Sequence, residues 1–509
     1  MPNIIAYIML FFWPVISWGF FRAFDIPKAV ILTVILGYLF LPVEPAIDLP
    51  LLPPLDKAFV PSLTALAFAW LLSSKETAKD DISSRRAASA STTSAHMRTN
   101  TANIALEPWR KPRRKSRTNL MILGLIGLIF WGCWLTYAAN TTAIELPEEN
   151  LPALRPYDAA SMALSIAVQL LAFWVARTHL RTPQAQITLL RVFVFSALAY
   201  SLLALIELRL SPQLNNWIYG FFPHEWRQHI RNGGYRPIVF LTHGLRVGMF
   251  LTLGILSAAL LARVSEKRAR RGWLAACLWL LVILFLSKNL GAVLITVILL
   301  PVILFFYPRL QILTAAAVSV LVLFYPIGRG TDYIPVERMV AAMEALSPER
   351  ASSFQYRLDN EAILLERANL KPLTGWGGYN RSRVFDEWGK DISTVDGQWI
   401  LIIGTYGWIG FLGQFGLLCL PALLMWRMRK RLKVDLLLTG SAVLLAGNLV
   451  DLIPNSSAVP PLWLMAGAMW SQIDNRRLAF SGELPLRQET RRAEVSIRRK
   501  RFVPHRTRP

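Results

Sequence analysis

The sequence predicts an all-α integral membrane protein, with about 12–13 transmembrane helices and a long, partly helical outer loop. Three observations carry that prediction. Hydrophobic residues make up 54% of the 509-residue chain and the mean hydropathy is +0.39, more apolar than a soluble domain. The apolar residues gather into runs near bilayer-spanning length, set too close together to be separate soluble cores. The basic residues, 55 Lys and Arg against 32 Asp and Glu, cluster in short segments between those runs. That is the positive-inside pattern, with attraction to anionic membrane lipids as a secondary effect.

Residues 1–74 are predicted to hold the N-terminal transmembrane helices, from runs near 2–21, 28–42 and 58–74. The first run lacks a basic flank and a small-residue cleavage site, so it reads as a retained helix and not a signal peptide. Residues 75–118, rich in Ser, Thr, Ala and Arg, read as a basic, disordered cytoplasmic loop. The transmembrane core spans 119–326, with runs near 119–138, 158–176, 187–208, 237–262, 272–287, 289–307 and 310–326. Ser287, Lys288 and Asn289 break one long apolar stretch into two short helices. Residues 327–396 form the long outer loop, 397–473 the C-terminal transmembrane helices, and 474–509 a basic cytoplasmic tail.

If the helices alternate, the basic linkers 263–271 and 427–433 fall on the same side as 75–118 and the tail. The acidic segment 139–157 (Glu145, Glu148, Glu149), the segment 209–236 and the long loop fall opposite. Within the long loop, Ser352 and Gln355 form a capping box that opens a helix over 352–370. Arg357 and Glu361 are spaced as an i,i+4 pair, and Pro372 and Gly375 stop the helix.

Several function classes are excluded. The net charge of +23 suits topology and lipid better than nucleic acid, since no nucleic-acid recognition module accompanies it. Cys133, Cys277 and Cys419 lie inside apolar runs, without a CxxC or Cys/His spacing, so neither a disulfide framework nor a zinc site is expected. Phosphate-loop, serine-hydrolase, zinc-protease and dinucleotide-binding motifs are missing.

The candidate site residues are the charged groups that apolar runs do not explain. Arg246 sits inside the run 237–262, where an arginine costs about 2.5–3.5 kcal/mol on insertion scales. His243 and Arg236 precede it at helical spacing, so the three can share one face. A guanidinium keeps its charge and binds a phosphate through two hydrogen bonds. A snorkelling or packing arginine paired with an acid is the plainer alternative. Lys288 lies at the predicted helix break. Asp396, beside Gly397 and Gln398 where the long loop re-enters the membrane, suits a general base or a helix N-cap. Gly375, Trp376 and Gly377 form either a turn or a surface that lies against a sugar.

Four segments, in this order, resemble the O-antigen ligase/polymerase superfamily of bacterial envelope glycosyltransferases. LSKNLG (286–291) resembles its Ser-x-Ser-Arg segment, and YRLDNEAI (356–363) its Arg-containing loop helix. KPLTGWGGYN (371–380) resembles its Pro-Leu-x-Gly-x-Gly turn, and DGQWILIIGTYGWIGF (396–411) the stretch that follows it. The resemblance covers roughly 187–425. Many members carry His where this chain has Asp396, Asn where it has Gly397, and Arg where it has Lys288, which leaves the base open.

The resemblance implies a GT-C-like membrane glycosyltransferase of a bacterial inner membrane. Its donor would be a polyprenyl-diphosphate-linked glycan, and its acceptor a hydroxyl of a glycan or lipid core at the outer leaflet, with no cofactor and no metal implied because the leaving group already carries a diphosphate. Arg246 and Arg357 would stabilise the diphosphate, with Arg236, His243 and Lys288 beside them. Asp396 would take the acceptor proton, and Gly375, Trp376, Gly377 and Gln398 would line the substrate. A transporter or flippase of an amphipathic anion also suits intramembrane arginines and broken helices, and a non-catalytic assembly role stands third.

Overall fold

The computed structural model describes residues 1–49, 52–74, 117–147, 150–231, 233–331, 333, 335–346 and 348–480. The basic segment over 75–116, Glu148 and Glu149, and the tail from 481 onward lie outside the described residues. The chain is an all-α membrane protein. Seven helices are long and apolar enough to cross a bilayer: Ile4–Ala23, Thr118–Ala138, Pro183–Leu210, Gly244–Val264, Lys267–Leu286, Pro308–Gly330 and Gln398–Arg427. The pair Pro156–Gln169 and Leu171–His179, bent by 41°, makes an eighth if taken as one broken span. Shorter apolar helices run over Ile26–Phe40, Phe59–Ser74, Leu290–Phe305 and Leu436–Asp451. The strands described form three two-stranded hairpins.

Helix Gly244–Val264 is the central post. Its faces pack on Pro183–Leu210, Lys267–Leu286, Leu290–Phe305 and Leu436–Asp451, and 89% of its apolar window is buried. Lys267–Leu286, by contrast, is only 22% buried, and it exposes Phe285 and Leu278. An apolar face of that kind is stable only where lipid covers it, and a helix satisfies its own backbone there. The predicted break is present: Lys267–Leu286 ends and Leu290–Phe305 begins on either side of Ser287–Asn289, with Lys288 at φ +55°.

Hydrogen bonds sort the loops into two ends of the bundle. At one end, Arg381 reaches Pro152 and Thr142, Arg236 reaches Lys288, and Gln398 donates its amide to Leu452. That end gathers the described residues of 139–157, 209–236, 287–289, the long connection and 452–459. At the other end, Thr118 and Arg177 meet Asp474, Arg263 caps the carbonyls of Ile303 and Phe306, and Arg476 pairs with Asp435. The basic linkers near 263–271 and 427–433 therefore share an end with the residues that border 75–116 and the tail.

The long connection is helical over Val336–Leu346 and Pro348–Asn369. The second helix starts before the expected capping box at Ser352, since Pro348 is tolerated in a first turn. The expected Arg357–Glu361 pair is not made. Arg357 turns to Asp396, and Glu361 goes to Arg329 and Tyr325. Glu361 is buried with those partners, and burial raises its pKa against their opposing pull.

Candidate active site

The arginine at 246 does not sit ten residues into a helix. Residues 236–243 are not helical, although their run of apolar side chains reads as the start of a helix. His243 is the N-cap of helix Gly244–Val264, and its Nδ1 accepts the amide of Leu245 at 3.0 Å. Arg246 is thus in the first turn, at the loop-bearing end of the bundle, and Arg236 and His243 share no helical face with it. Three buried groups hold the non-helical stretch. The Glu207 carboxylate accepts the amides of Ile238 and Val239 at 2.7 Å each, where Val239 takes φ +55°. Tyr200 accepts the Phe240 amide, and the Lys57 ammonium donates to the Phe240 carbonyl at 2.6 Å. Burial, with Arg246 close by, pulls the Lys57 pKa down to about 7.

Arg246 and Arg357 reach the same loop from different helices. Arg246 Nη2 lies 3.5 Å from the Ser456 carbonyl oxygen, and Arg357 Nη1 lies 3.4 Å from that of Pro454. The loop is shaped by Asp451. Its Oδ1 accepts from Asn455 and its Oδ2 from Ser457, each at 2.7 Å. Each carbonyl offers a guanidinium one weak bond, and Arg357 turns its Nε towards Asp396.

Asp396 lies 3.5 Å from Arg357, and both side chains keep about a third of their surface exposed. The cap of helix Gln398–Arg427 is Gly397, so Asp396 is not spent on the helix end. Gln398 donates its amide to Leu452 at 3.0 Å, and a Cβ on Gly397 would overlap the Ile453 carbonyl oxygen. The re-entry point and the 452–457 loop therefore pack backbone to backbone. This brings Arg246, Arg357, Asp396 and Gln398 around one loop that sequence reasoning did not single out. An acid at the end of an apolar run followed by Pro, Asn and two Ser is the signal that marks it.

Arg236 and Lys288 flank this group. Arg236 Nη2 donates to the Lys288 carbonyl at 3.3 Å, and a Cβ on Gly234 would meet the Lys288 amine. Asn289 reaches the carbonyls of Gly244 and Leu245, which ties the helix break to the turn that carries Arg246. His243 stays neutral: burial, then His229, His224, Arg236 and Arg246, push its pKa down to about 2.

The glycine-tryptophan turn is a structural clip. Gly375 and Gly377 take φ +66° and +81°, open only to glycine without strain. The amides of Trp376 and Gly377 donate to the carbonyls of Gly404 and Thr405, freed by the kink at Gly407 (φ +65°). The Trp376 indole donates to the Arg367 carbonyl. Its ring is covered by the Arg367 guanidinium at 3.5 Å and approached by the Lys371 amine at 4.5 Å. A ring so covered is not a platform for a sugar, so the turn reading replaces the sugar-facing one.

With this geometry in place, one comparison with known families bears on part of the chain. Residues 275–415 match the O-antigen ligase family. The matched span holds Lys288, Arg357, the Gly375–Gly377 clip, Asp396 and Gln398, and the family implies a membrane glycosyltransferase of the O-antigen ligase type. Arg236, His243, Arg246 and the Asp451 loop lie outside it. No curated protein matches the chain.

Proposed function

We propose that this chain transfers or polymerises glycans from a polyprenyl-diphosphate donor at the outer leaflet of a bacterial inner membrane, by single, inverting displacement. The observation that supports it is the approach of Arg246 and Arg357 to the Ser456 and Pro454 carbonyls of one loop, with Asp396 beside Arg357. In the reaction, a hydroxyl of a glycan or lipid-core acceptor attacks the anomeric carbon. Its proton passes to the Asp396 carboxylate, and the bond to the lipid diphosphate breaks with inversion. Negative charge grows on the departing diphosphate, and two guanidinium groups already held in place stabilise it without reorganisation. Arg236 and Lys288 extend the positive field along the approach, and Gln398 orients the acceptor. The basic linkers then lie in the cytoplasm, and the loop-bearing end faces the periplasm.

Polymerisation of an exported polysaccharide is favoured over ligation, since the chain shows no lipid-core contact motif. The test is product analysis. Purified protein is incubated with a lipid-diphosphate oligosaccharide and no nucleotide, and the anomeric configuration of the new linkage is read by NMR. Inverted linkages with one polyprenyl diphosphate released per bond agree with the proposal. Retained configuration overturns the single displacement, and movement of the donor across a vesicle with no bond formed overturns the enzyme.

A further inference from the structure

Three of the chain's six histidines converge on one spot at the loop-bearing end. His224, His229 and His243 place one ligand nitrogen each within 4.8 Å of the others. Their ring centroids lie 4.7 Å (His224–His243), 5.0 Å (His229–His243) and 5.6 Å (His224–His229) apart. Chance does not favour this in a chain so poor in histidine, nor do the elements that deliver them. His224 sits in an exposed loop, His229 is fully buried at the end of the 3-10 turn Trp226–His229, and His243 caps helix Gly244–Val264. The short hairpin Ile230–Arg231 with Gly234–Tyr235 folds His229 back towards His243, and the Arg236 amide donates to the His229 carbonyl at 2.8 Å.

We propose that His224, His229 and His243 form a binding site for a late first-row divalent metal of the zinc class. Three imidazoles are the ligand set such ions take, and they leave a four-coordinate ion one open position. Nitrogens about 2.0–2.1 Å from a common zinc ion lie a little over about 3 Å apart. The rings here close to that spacing by side-chain rotation, for which exposed His224 has the room. The Nδ1 of His224 and of His243 each accepts a backbone amide, from Glu225 and Leu245, so the neutral rings carry their protons on Nε2, and a metal taken at Nε2 moves each proton to Nδ1 in exchange for that hydrogen bond.

The neighbours specify the fourth ligand. Arg246 stands in the first turn of the helix that His243 caps, and Arg236 donates its amide to the His229 carbonyl. Cations so near oppose a bare dication, so the ligand that completes the site is an anion. A diphosphate oxygen fits that requirement and would link the metal to the arginines. That last step rests on the diphosphate-donor reading; the metal site itself does not.

The experiment uses the full chain in detergent, stripped with a chelator and dialysed free of it. Cobalt(II) is titrated in and followed by visible absorption, with inorganic pyrophosphate as the anion probe. Expected are stoichiometric cobalt, the intense bands of a tetrahedral site, and a spectral change on adding pyrophosphate. His224→Gln and His229→Gln should each weaken binding at least by the roughly 10–100-fold that even an outer partner's loss brings. Because His229 is buried and its variant may unfold, exposed His224→Gln carries the test alone if necessary. No stoichiometric cobalt, or binding unchanged in His224→Gln, overturns the site and leaves a packed imidazole cluster. Cobalt binding without any glycan transfer keeps the metal site and tells against the enzyme reading instead.

Discussion

Two backbone platforms at the same end of the bundle do different work. The loop 452–457 is closed by one carboxylate, Asp451, and its carbonyls meet the tips of Arg246 and Arg357 at the long edge of hydrogen-bond distance. The clip at 374–377 is closed by its own amides on the kinked helix, and its tryptophan is boxed in by Arg367 and Lys371. In the first, charge is held loosely and remains partly exposed. In the second, charge is consumed in packing. The motif that reads most like a sugar surface is scaffold, and a segment that reads as an ordinary interhelical turn carries the arginines.

The comparison breaks most decisively at the loop. Arg246→Ala and Arg357→Ala should each lower glycan transfer by about 10²–10³-fold, as loss of a transition-state donor does, with yield in the membrane unchanged. Initial rates on purified variants check this. Trp376→Ala should do the reverse: a loss of about 3–5 kcal/mol in stability, the usual effect of removing a buried aromatic ring, with the rate per folded molecule retained. Apparent melting temperature and active fraction separate the two. If Trp376→Ala instead raises KM for the acceptor in a fully folded protein, the clip touches substrate after all.

Much of the fold was legible in the sequence because a bilayer imposes a length. Apolar runs of about 20 residues have little choice but to be spanning helices. The break at Ser287–Asn289 was legible too, since three polar residues in succession interrupt the run. Arg246 was misplaced for a physical reason. The residues before it are apolar, so the run reads as helix, but buried Glu207, distant in sequence, takes the amides of Ile238 and Val239 and keeps that stretch unwound. Pairing of that kind leaves no periodic trace. Asp451 and the Trp376 ring escape for another reason: their partners are near in sequence, at Asn455, Ser457, Arg367 and Lys371, but meet them through turns that no helical period marks.

A smaller effect is expected at Gly397. A side chain there meets the Ile453 carbonyl, so Gly397→Ala should shift the loop beneath both arginines. The expected cost is about 1–3 kcal/mol in stability, typical of overpacking, with a larger fractional loss of transfer than of folded protein. Equal losses would mean that the loop only supports the fold.

The last effect is one of pH and concerns Lys57. Its pKa falls from 10.5 to about 7 on folding, with burial the main cause. Between those values the unfolded chain binds more protons than the folded one, so this group makes stability rise with pH from about 7 to 10.5 and level off beyond. Lys57→Met should remove that part of the rise in apparent Tm over the window. An unchanged profile would show that the ammonium is better compensated by the Phe240 carbonyl than its burial implies.

The central claim is tested most directly by one assay: purified wild-type protein and Arg357→Ala, each given a radiolabelled polyprenyl-diphosphate oligosaccharide, an acceptor glycan and no nucleotide. The account predicts extended products from the wild type and about 10²–10³-fold less from the variant at matched folded concentration. Equal product from both, or donor that is moved but never joined to acceptor, would contradict it.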